Sequence, residues 1–184
     1  IQDANSGGTC FYILADNVTL DCKGFEINYS QSVVGYGVNI SGYKYSTIRS
    51  CRIEQADIAS DTANAYGVYI FNNGNNVTII NNTVKTLGTS SHGIYSDVNT
   101  AIIKNVNNSI SGNVITVSGT TGNGILVENS FFNTIRDNNI TVKGTGNGIS
   151  LDNVANNISI YNNNITSSGL GADGIELSSS DNNS

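Results

Sequence analysis

The chain has 184 residues, including 30 asparagines and 20 glycines, and its formal net charge is −6. This acidic balance excludes a basic stripe of the kind that neutralises nucleic-acid phosphates, so we expect no nucleic-acid partner. No apolar run approaches the roughly 18 residues of a membrane-spanning helix, so we expect no membrane span.

The first ten residues are polar, and we expect residues 1–10 to form a leader or an N-terminal cap. Because the chain starts at Ile1 without a signal peptide, we interpret it as a mature or trimmed product. Residues 11–184 are predicted to form a single domain that belongs to a longer chain or to an end-to-end assembly.

From residue 11 onward the sequence repeats one unit of about 25 to 30 residues, most clearly in residues 124–144 and 148–169. Each unit opens with a glycine and continues with apolar residues at alternate positions between asparagine-rich turns. This pattern predicts short strands, and so small a unit must stack on copies of itself to bury its apolar face. The opening glycines are Gly37, Gly67, Gly93, Gly124, Gly148 and Gly174.

A second series has the same phase and supports the same repeat. An apolar residue marks the middle strand of each unit, and another follows five residues later. The two sets are Leu20, Ile48, Ile79, Ile110, Ile135 and Ile160, then Phe25, Ile53, Val84, Ile115, Ile140 and Ile165. The repeat predicts an all-β chain, a right-handed parallel β-helix of six to seven rungs, in which three short parallel sheets enclose an aliphatic core.

Asparagine follows the middle strand by three residues in the later rungs, at Asn82, Asn113, Asn138 and Asn163. Asparagine tolerates the left-handed backbone of a tight turn, and stacked side-chain amides can bond to one another as a ladder. We therefore predict an asparagine ladder that begins in the third rung. The opening glycines mark a second turn, where a Cβ would crowd the neighbouring backbone.

The three cysteines are too few for a disulfide scaffold and lack metal-site spacing. Cys10 and Cys22 fall in the first rung, whereas Cys22 and Cys51 lie near equivalent points of successive rungs, where strands are about 4.8 Å apart. Either pair could form a disulfide. The alternative is that they are buried free thiols that act as small apolar side chains.

No catalytic residue, metal site or cofactor can be assigned from the sequence, and calcium has no support. The only histidine, His92, is expected to be a solvated turn residue. Glu128 and Asp152 each stand four residues after an opening glycine and should meet on successive rungs, as paired carboxylates of glycoside hydrolases do. We interpret both as outward, solvated side chains.

Two groups of residues suggest contact with sugars. Exposed tyrosines could stack against sugar rings, or they could be ordinary surface aromatics: Tyr36, Tyr43, Tyr45, Tyr66, Tyr69 and Tyr95. Ten Asn-x-Ser/Thr sequons predict glycans on exposed turns of an exported protein, although this composition also generates several sequons by chance. They begin at Asn17, Asn28, Asn39, Asn76, Asn81, Asn107, Asn139, Asn157, Asn164 and Asn182.

The pattern GI.L…NN.I..NNI resembles the β-helix repeats of carbohydrate-binding and sugar-hydrolase type, found in pectate-lyase-like and NosD-like proteins. The stretches CFYILADNVTLDCKGFEI and STIRSCRI also resemble the first rungs of secreted, repeat-rich surface proteins, many of them archaeal. The resemblance covers residues 10–181 and implies the fold. The polygalacturonase signatures are absent, and Ser91-His92-Gly93 is the nearest approach to its Gly-His-Gly. The resemblance therefore does not imply catalysis.

We expect a non-catalytic, glycosylated extracellular scaffold, such as a surface, adhesive or filament-forming protein. The alternatives are a carbohydrate-active enzyme (polysaccharide lyase, hydrolase or epimerase) and a carbohydrate-binding module without turnover. The expected partners are a polysaccharide or glycan and the chain itself, head to tail, because the rung that starts at Gly174 stops before its second strand and leaves an open edge. The expected location is extracellular or at the cell surface.

Overall fold

The computed structural model describes residues 3–56, 63–98 and 104–184, and these residues form strands and turns without any helix. The chain winds into a parallel β-solenoid of about six rungs with three main sheets. The predicted all-β parallel solenoid is therefore confirmed. The described part also contains no helix that could cross a membrane.

Three long sheets run the length of the solenoid, and each takes one strand from every rung. Sheet A contains β1 (Ala4–Asn5), β4 (Glu26–Tyr29), β7 (Arg52–Gln55), β10 (Thr83–Thr86), β14 (Val114–Val117), β18 (Asn139–Val142) and β21 (Asn164–Ser167). Sheet B contains β2 (Phe11–Ile13), β5 (Val38–Ser41), β8 (Val68–Phe71), β11 (Ile94–Asp97), β15 (Ile125–Glu128), β19 (Ile149–Asp152) and β22 (Ile175–Leu177). Sheet C contains β3 (Thr19–Asp21), β6 (Thr47–Arg49), β9 (Thr78–Ile80), β13 (Ser109–Ser111), β17 (Thr134–Arg136) and β20 (Ser159–Tyr161). A small fourth sheet pairs β12 (Asn105–Val106) with β16 (Ser130–Phe131).

The core consists of columns of apolar side chains that hold the same register position on successive rungs. On sheet C, Ile48, Ile79, Ile110 and Ile135 are register partners in turn, and none is more than 1% exposed. Alternate residues of a strand point to opposite faces, so every second residue enters this core, and β-branched side chains pack well there. Each buried methylene contributes about 0.8 kcal/mol, so the columns are the main source of stability.

The first rung departs from the predicted core series at one position. Phe25 was predicted to be a core residue, but it is 41% exposed, and Ile27 pairs with Ile53 instead. The cause is a longer turn between sheets C and A, because Leu20 and Ile27 are seven residues apart whereas Ile48 and Ile53 are five apart. The extra length contains Lys23 and Gly24, both with positive φ.

Both ends of the described solenoid are formed by strands. In the segment predicted to be a leader or cap, β1 pairs with β4 and forms the first edge of sheet A. At the other end, Ile175 and Leu177 are 47% and 54% exposed, and they border a cavity of about 170 Å³ together with Ile160, Asn183 and Ser184. Head-to-tail self-association through this end stays a prediction.

The four ladder asparagines stack between sheets C and A. Asn113 is typical: its Oδ1 accepts hydrogen bonds from the backbone N and the Nδ2 of Asn82, at 3.0 and 3.1 Å. Its Nδ2 donates to the Ile79 carbonyl at 2.9 Å and to Asn138 Oδ1 at 3.0 Å. The series starts where the backbone N of Cys51 donates to Asn82 Oδ1, and so begins in the third rung. These bonds satisfy buried backbone groups that no strand pairs.

The left-handed conformation predicted for the ladder asparagines occurs one residue earlier, so that part of the prediction is wrong. Positive φ is found at Asn81, Gly112, Asp137 and Asn162. The left-handed residue turns the chain, and the following asparagine then points its amide into the stack. Asn82, for example, is 2% exposed whereas Asn81 is exposed.

A second series of stacked asparagines, which was not predicted from the sequence, lies just before the strands of sheet C. Asn108 Oδ1 accepts from the Val77 backbone N at 2.8 Å, and Asn133 Oδ1 accepts from the Asn108 backbone N at 2.8 Å. Asn183 repeats the contact with the Ile158 backbone N. Because Val77 and Ile158 interrupt the series, it has no regular signature in the sequence.

None of the opening glycines has positive φ, so backbone conformation does not require glycine at these positions. Lack of space for a side chain does, at five of the six. A Cβ on Gly93 would lie 2.4 Å from Ile115 Cγ2 and 2.6 Å from the Gly124 carbonyl oxygen. The same crowding holds at Gly37, Gly67, Gly124 and Gly148, whereas Gly174 on the last rung has no neighbour within 4 Å.

A disulfide joins Cys22 to Cys51, with an S–S distance of 2.04 Å and a Cα–Cα distance of 4.7 Å. Both residues are buried, and the bond links the first two rungs at the position where the asparagine ladder begins. Cys10 is free and half-buried, and burial raises the pKa of its thiol.

We predict that Asn113→Ala lowers the free energy of unfolding by about 3 kcal/mol. The substitution removes the acceptor of the buried Asn82 backbone N–H and of one Asn82 Nδ2 hydrogen, at about 1–3 kcal/mol for each unsatisfied group. Urea denaturation measures the loss. The matched control is Asn139→Ala, an exposed residue whose Oδ1 accepts only a 3.2 Å bond from Asn164, and it should change stability by less than about 0.5 kcal/mol. Similar losses in both variants would contradict a structural role for the ladder.

We predict that removing the disulfide by Cys22→Ala and Cys51→Ala destabilises the chain by about 3–4 kcal/mol. The bond closes a loop with a sequence separation of 29 residues, and a loop of that length gives this value in the chain-entropy model. Thermal denaturation of the double variant and of Cys10→Ala tests it. If Cys10→Ala lowers the stability more than the double variant does, the disulfide is not the main contribution of the cysteines to stability.

Candidate functional site

The outer surface of sheet B carries a continuous group of aromatic rings on three successive rungs. We call this group the aromatic face; its members are Tyr36, Tyr66, His92, Tyr69, Tyr95 and Phe71. All six side chains are half-buried. Four of the six tyrosines predicted to stack on sugars therefore belong to one face, whereas Tyr43 and Tyr45 lie in the turn between β5 and β6.

Five of the six rings form two adjacent columns because equivalent positions of parallel strands lie about 4.8 Å apart, and Phe71 lies beside Tyr69 in the column of Asp97. Tyr36, Tyr66 and His92 each precede an opening glycine, and the first two rings stack with centroids 5.3 Å apart and an interplanar angle of 11°. Tyr69 and Tyr95 are register partners in β8 and β11, with centroids 5.3 Å apart. Ring contacts of about 5 Å also join the columns, such as Tyr66 to Tyr95 at 4.9 Å. Such geometry is favourable for aromatic pairs.

Acidic side chains occupy the same outer surface next to the rings. We call Asp97, Glu128, Asp152 and Glu176 the acidic strip. Glu128 and Asp152 are register partners, as predicted, and both are half-buried. Glu128 Oε2 accepts a hydrogen bond from the Tyr95 hydroxyl, and Glu128 Oε1 accepts from Asn153 Nδ2 at 2.7 Å. The strip therefore begins in direct contact with the aromatic face.

The tyrosine hydroxyls of this face stay protonated at neutral pH. Burial raises the pKa of Tyr66 to about 12, and Tyr36 and the carboxylates of Glu128 and Asp97 add to the shift. Burial also raises the pKa of Tyr69, and Asp97 contributes. The pKa of Tyr95 is raised by burial and then by its hydrogen bond to Glu128. These hydroxyls can donate hydrogen bonds, but they are poor bases.

His92 is not the solvated turn residue that the sequence analysis predicted. Its ring lies 5.2 Å from the rings of Tyr66 and Tyr95, and its Nδ1 accepts a hydrogen bond from the Asn123 backbone N at 2.9 Å. Burial lowers the pKa of His92 to about 4. The residue is thus a neutral acceptor, and Asn123 and Asn147 serve the same purpose on the next rungs, where their Oδ1 atoms accept from backbone N–H groups.

Half of the sequons fall on one column of turns that leads into sheet C. Five sequon asparagines share positive φ at this position: Asn17, Asn76, Asn107, Asn157 and Asn182. In the first four, the Ser or Thr two residues later is the first residue of a sheet C strand. Tyr45 and Phe132 have positive φ at the same position of their rungs. Turn geometry thus favours asparagine here whether or not it is modified.

The other five sequon asparagines are scattered over the surface. Asn139 and Asn164 are exposed register partners on sheet A, and Asn28 also lies on sheet A, where its Nδ2 donates to Glu26. Asn81 is exposed in a turn, and Asn39 lies on β5 beside the aromatic face with its Oδ1 buried. Glycosylation stays a prediction.

Within the described ranges, no three His, Cys, Asp or Glu side chains are grouped so that they could hold a metal ion. The face itself offers stacked rings, protonated hydroxyls and oriented carboxylates. Most of the tyrosines were predicted from the sequence, but His92 and Phe71 were not. When the rungs are aligned on their opening glycines, His92 falls in the column of Tyr36 and Tyr66, and Phe71 falls in the column of Asp97.

We predict that the chain loses stability as pH falls from about 6.5, the ordinary histidine pKa, to about 4, the pKa of His92 in the fold. In this pH window the His92 imidazole is protonated in the unfolded chain but neutral in the folded chain. The free energy of unfolding therefore falls by up to about 3 kcal/mol. His92→Asn keeps an acceptor of the kind that Asn123 provides and removes the proton site. Urea denaturation across this pH range should show a flatter dependence for the variant, and equal slopes would contradict the assignment.

No family model matches the chain, and no curated protein sequence matches it. Among solved structures, the chain is similar to the crystal structure of an alginate lyase from Paenibacillus sp. strain FPU-7. The identity is 15%, the TM-score is 0.35, and the match covers 97% of this chain and 93% of the lyase. Similarity at this level carries no argument about the fold or the activity of this chain.

Proposed function

We propose that the chain is a solenoid that binds a glycan on its aromatic face without turnover. The main supporting observation is that six rings lie in contact on three rungs of one sheet surface. The C–H faces of pyranose rings are apolar, and they stack on aromatic rings in the way that apolar surfaces do generally. Tyrosine suits such a surface because its ring is apolar and its hydroxyl is polar.

The groups around the rings also support a sugar as the ligand. Tyr66 and Tyr69 keep their protons and can donate to sugar oxygens, whereas the Tyr95 hydroxyl donates to Glu128 and can accept from a sugar hydroxyl. Glu128 and Asp97 lie next to the rings and can accept from sugar hydroxyls. Binding sites generally combine an aromatic or apolar lining with a few oriented polar groups, and this face has both.

A scaffold role is compatible with this proposal, because stacked sheets hold the rings at fixed positions. An extracellular or cell-surface location is part of the proposal. It is supported by the Cys22–Cys51 disulfide, since such bonds persist in oxidising compartments, and by the number of sequons.

Glycoside hydrolysis is the second candidate, and the register pairing of Glu128 with Asp152 favours it. Strands about 4.8 Å apart bring two carboxyl groups to roughly the separation of retaining glycosidases. Against it, one carboxyl group of such a pair must act as a protonated acid, whereas Glu128 and Asp152 only accept hydrogen bonds here. Assay of reducing ends and of unsaturated ends after incubation with polysaccharides distinguishes turnover from binding.

We predict that a panel of soluble polysaccharides contains a ligand, and that Tyr69→Ala weakens its binding at least tenfold. Tyr69 contacts four other rings of the face, and loss of one anchor ring of this kind costs on the order of 1.4 kcal/mol or more. Affinity electrophoresis and calorimetry measure the change. Tyr161→Ala is the control, because Tyr161 is 47% exposed on sheet C, away from the face. Equal effects of the two variants, or no bound polysaccharide, would refute the proposal.

A further inference from the structure

The carboxylates of the acidic strip differ from the other strand carboxylates in having no cationic partner. Every outward carboxylate on a strand of sheet A or C is paired with Arg or Lys. These pairs are Arg49–Asp21 on sheet C and Arg52–Glu26, Arg52–Glu54 and Lys85–Glu54 on sheet A. The remaining ion pair of the described residues joins neighbours Arg136 and Asp137. No ion pair in the described part involves sheet B.

The strip is instead held in place by neutral donors. Glu128 accepts from Tyr95 and Asn153, and Glu176 accepts from Asn147 Nδ2 at 2.6 Å and from Ser150 at 3.1 Å. The other two members are held similarly: Asp97 accepts from the Val98 backbone N and from Asn129, and Asp152 accepts from the Asn153 backbone N. These contacts orient the carboxylates but supply no positive charge.

The rings beside the strip supply no positive charge either. Nδ1 of His92 accepts a backbone N–H and so carries no proton. The lysines nearest to the strip along the chain are Lys104, seven residues after Asp97, and Lys143, nine residues before Asp152. Lys104 lies over the Phe131 ring with Nζ 5.3 Å from its centroid, Lys143 follows β18 of sheet A, and neither forms an ion pair with the strip. No cation of the described residues therefore lies within ion-pair distance of the strip, which leaves its carboxylates available to a cationic ligand.

We propose that the aromatic face and the acidic strip together select an amino-bearing glycan. The ammonium groups of such a chain pair with the strip, while its sugar rings stack on the tyrosines. This inference rests on the proposed glycan binding, and charge complementarity identifies the class of glycan. A polyuronate would instead bring its carboxylates against Asp97 and Glu128 with no cation between them.

The arrangement suits a chain that lies along the solenoid axis. Rungs are about 4.8 Å apart, which is close to the advance of one sugar in an extended chain. Such a chain passes from Tyr69 to Tyr95, whose hydroxyl touches Glu128, and then reaches Asp152 on the next rung. Rings and carboxylates therefore meet successive sugars of one ligand. Ammonium groups also interact favourably with tyrosine faces, which adds to the selection.

Calorimetry with three oligosaccharides of equal length tests the inference: β-1,4-linked glucosamine, the same oligomer N-acetylated, and an oligouronate. The measurements are made below the pKa of the sugar amine. We expect the glucosamine oligomer to bind at least tenfold more tightly than the acetylated one, with an affinity that falls as salt is added, and we expect no binding of the uronate.

Three variants separate charge from stacking. Glu128→Gln keeps the shape of the side chain and should weaken glucosamine binding about tenfold, because a charge-assisted contact becomes a neutral one. It should weaken any binding of the acetylated oligomer much less, because the glutamine oxygen still accepts a hydrogen bond from a sugar hydroxyl. Glu54→Gln is the matched control, since it removes the same charge from sheet A. Tyr69→Ala should abolish binding, which excludes attraction of a polycation by net charge alone.

The outcomes distinguish the two proposals. Equal binding of the amino and acetylated oligomers, unaffected by Glu128→Gln, overturns amino selection and leaves glycan binding intact. If the uronate oligomer binds as tightly as the glucosamine oligomer, amino selection is likewise overturned and glycan binding is left intact. Equal losses from Glu54→Gln and Glu128→Gln overturn the assignment to sheet B. If no oligomer binds, or if Tyr69→Ala changes nothing, glycan binding by this face is itself refuted.

Discussion

The parallel register between rungs is the constraint on which the rest of this structure depends. Each residue of a strand lies about 4.8 Å from its counterparts on the rungs before and after it, so like side chains meet like. Isoleucine on isoleucine builds the core, amide on amide builds the ladder, and ring on ring builds the aromatic face. Charge is the one case in which likeness is unfavourable.

Sheets A and B differ in how charged side chains are paired between neighbouring strands. On sheet A the signs alternate along the columns, with Glu26 beside Arg52 and Glu54 beside Lys85. On sheet B, Glu128 lies directly beside Asp152, and neutral amides rather than cations hold the carboxylates. Like charges on neighbouring strands are generally unfavourable, and no cation of the described residues pairs with these two carboxylates.

The sequence predicted the fold because the repeat of residues along the chain is the same as the stacking of residues in space. The glycine and isoleucine series therefore identified sheets B and C and the core. Phe25 was placed wrongly because a longer turn shifts the phase of the first rung, a change that fixed spacing cannot detect. The left-handed residues were placed one position late because composition does not reveal which of two adjacent asparagines turns the chain.

The site was harder to predict, since it combines neighbouring columns of one sheet surface. Tyr66 and Tyr95 are 29 residues apart and on different columns, yet their rings touch, and only the sheet surface reveals that contact. The same holds for Tyr95 and Glu128, and for His92, whose neutral state depends on the backbone of the next rung.

Strands of near-constant length alternate with turns of variable length in this chain. The steps between opening glycines range from 24 to 31 residues, but the sheet B strands after them keep the same register. The length of the turns that contain neither a ladder asparagine nor a crowded glycine can therefore change, and duplication of one whole rung leaves every existing column in phase. A change of that kind would lengthen the outer surface of sheet B by one strand, so the proposed glycan-binding surface can be enlarged by gene duplication without redesign of a pocket.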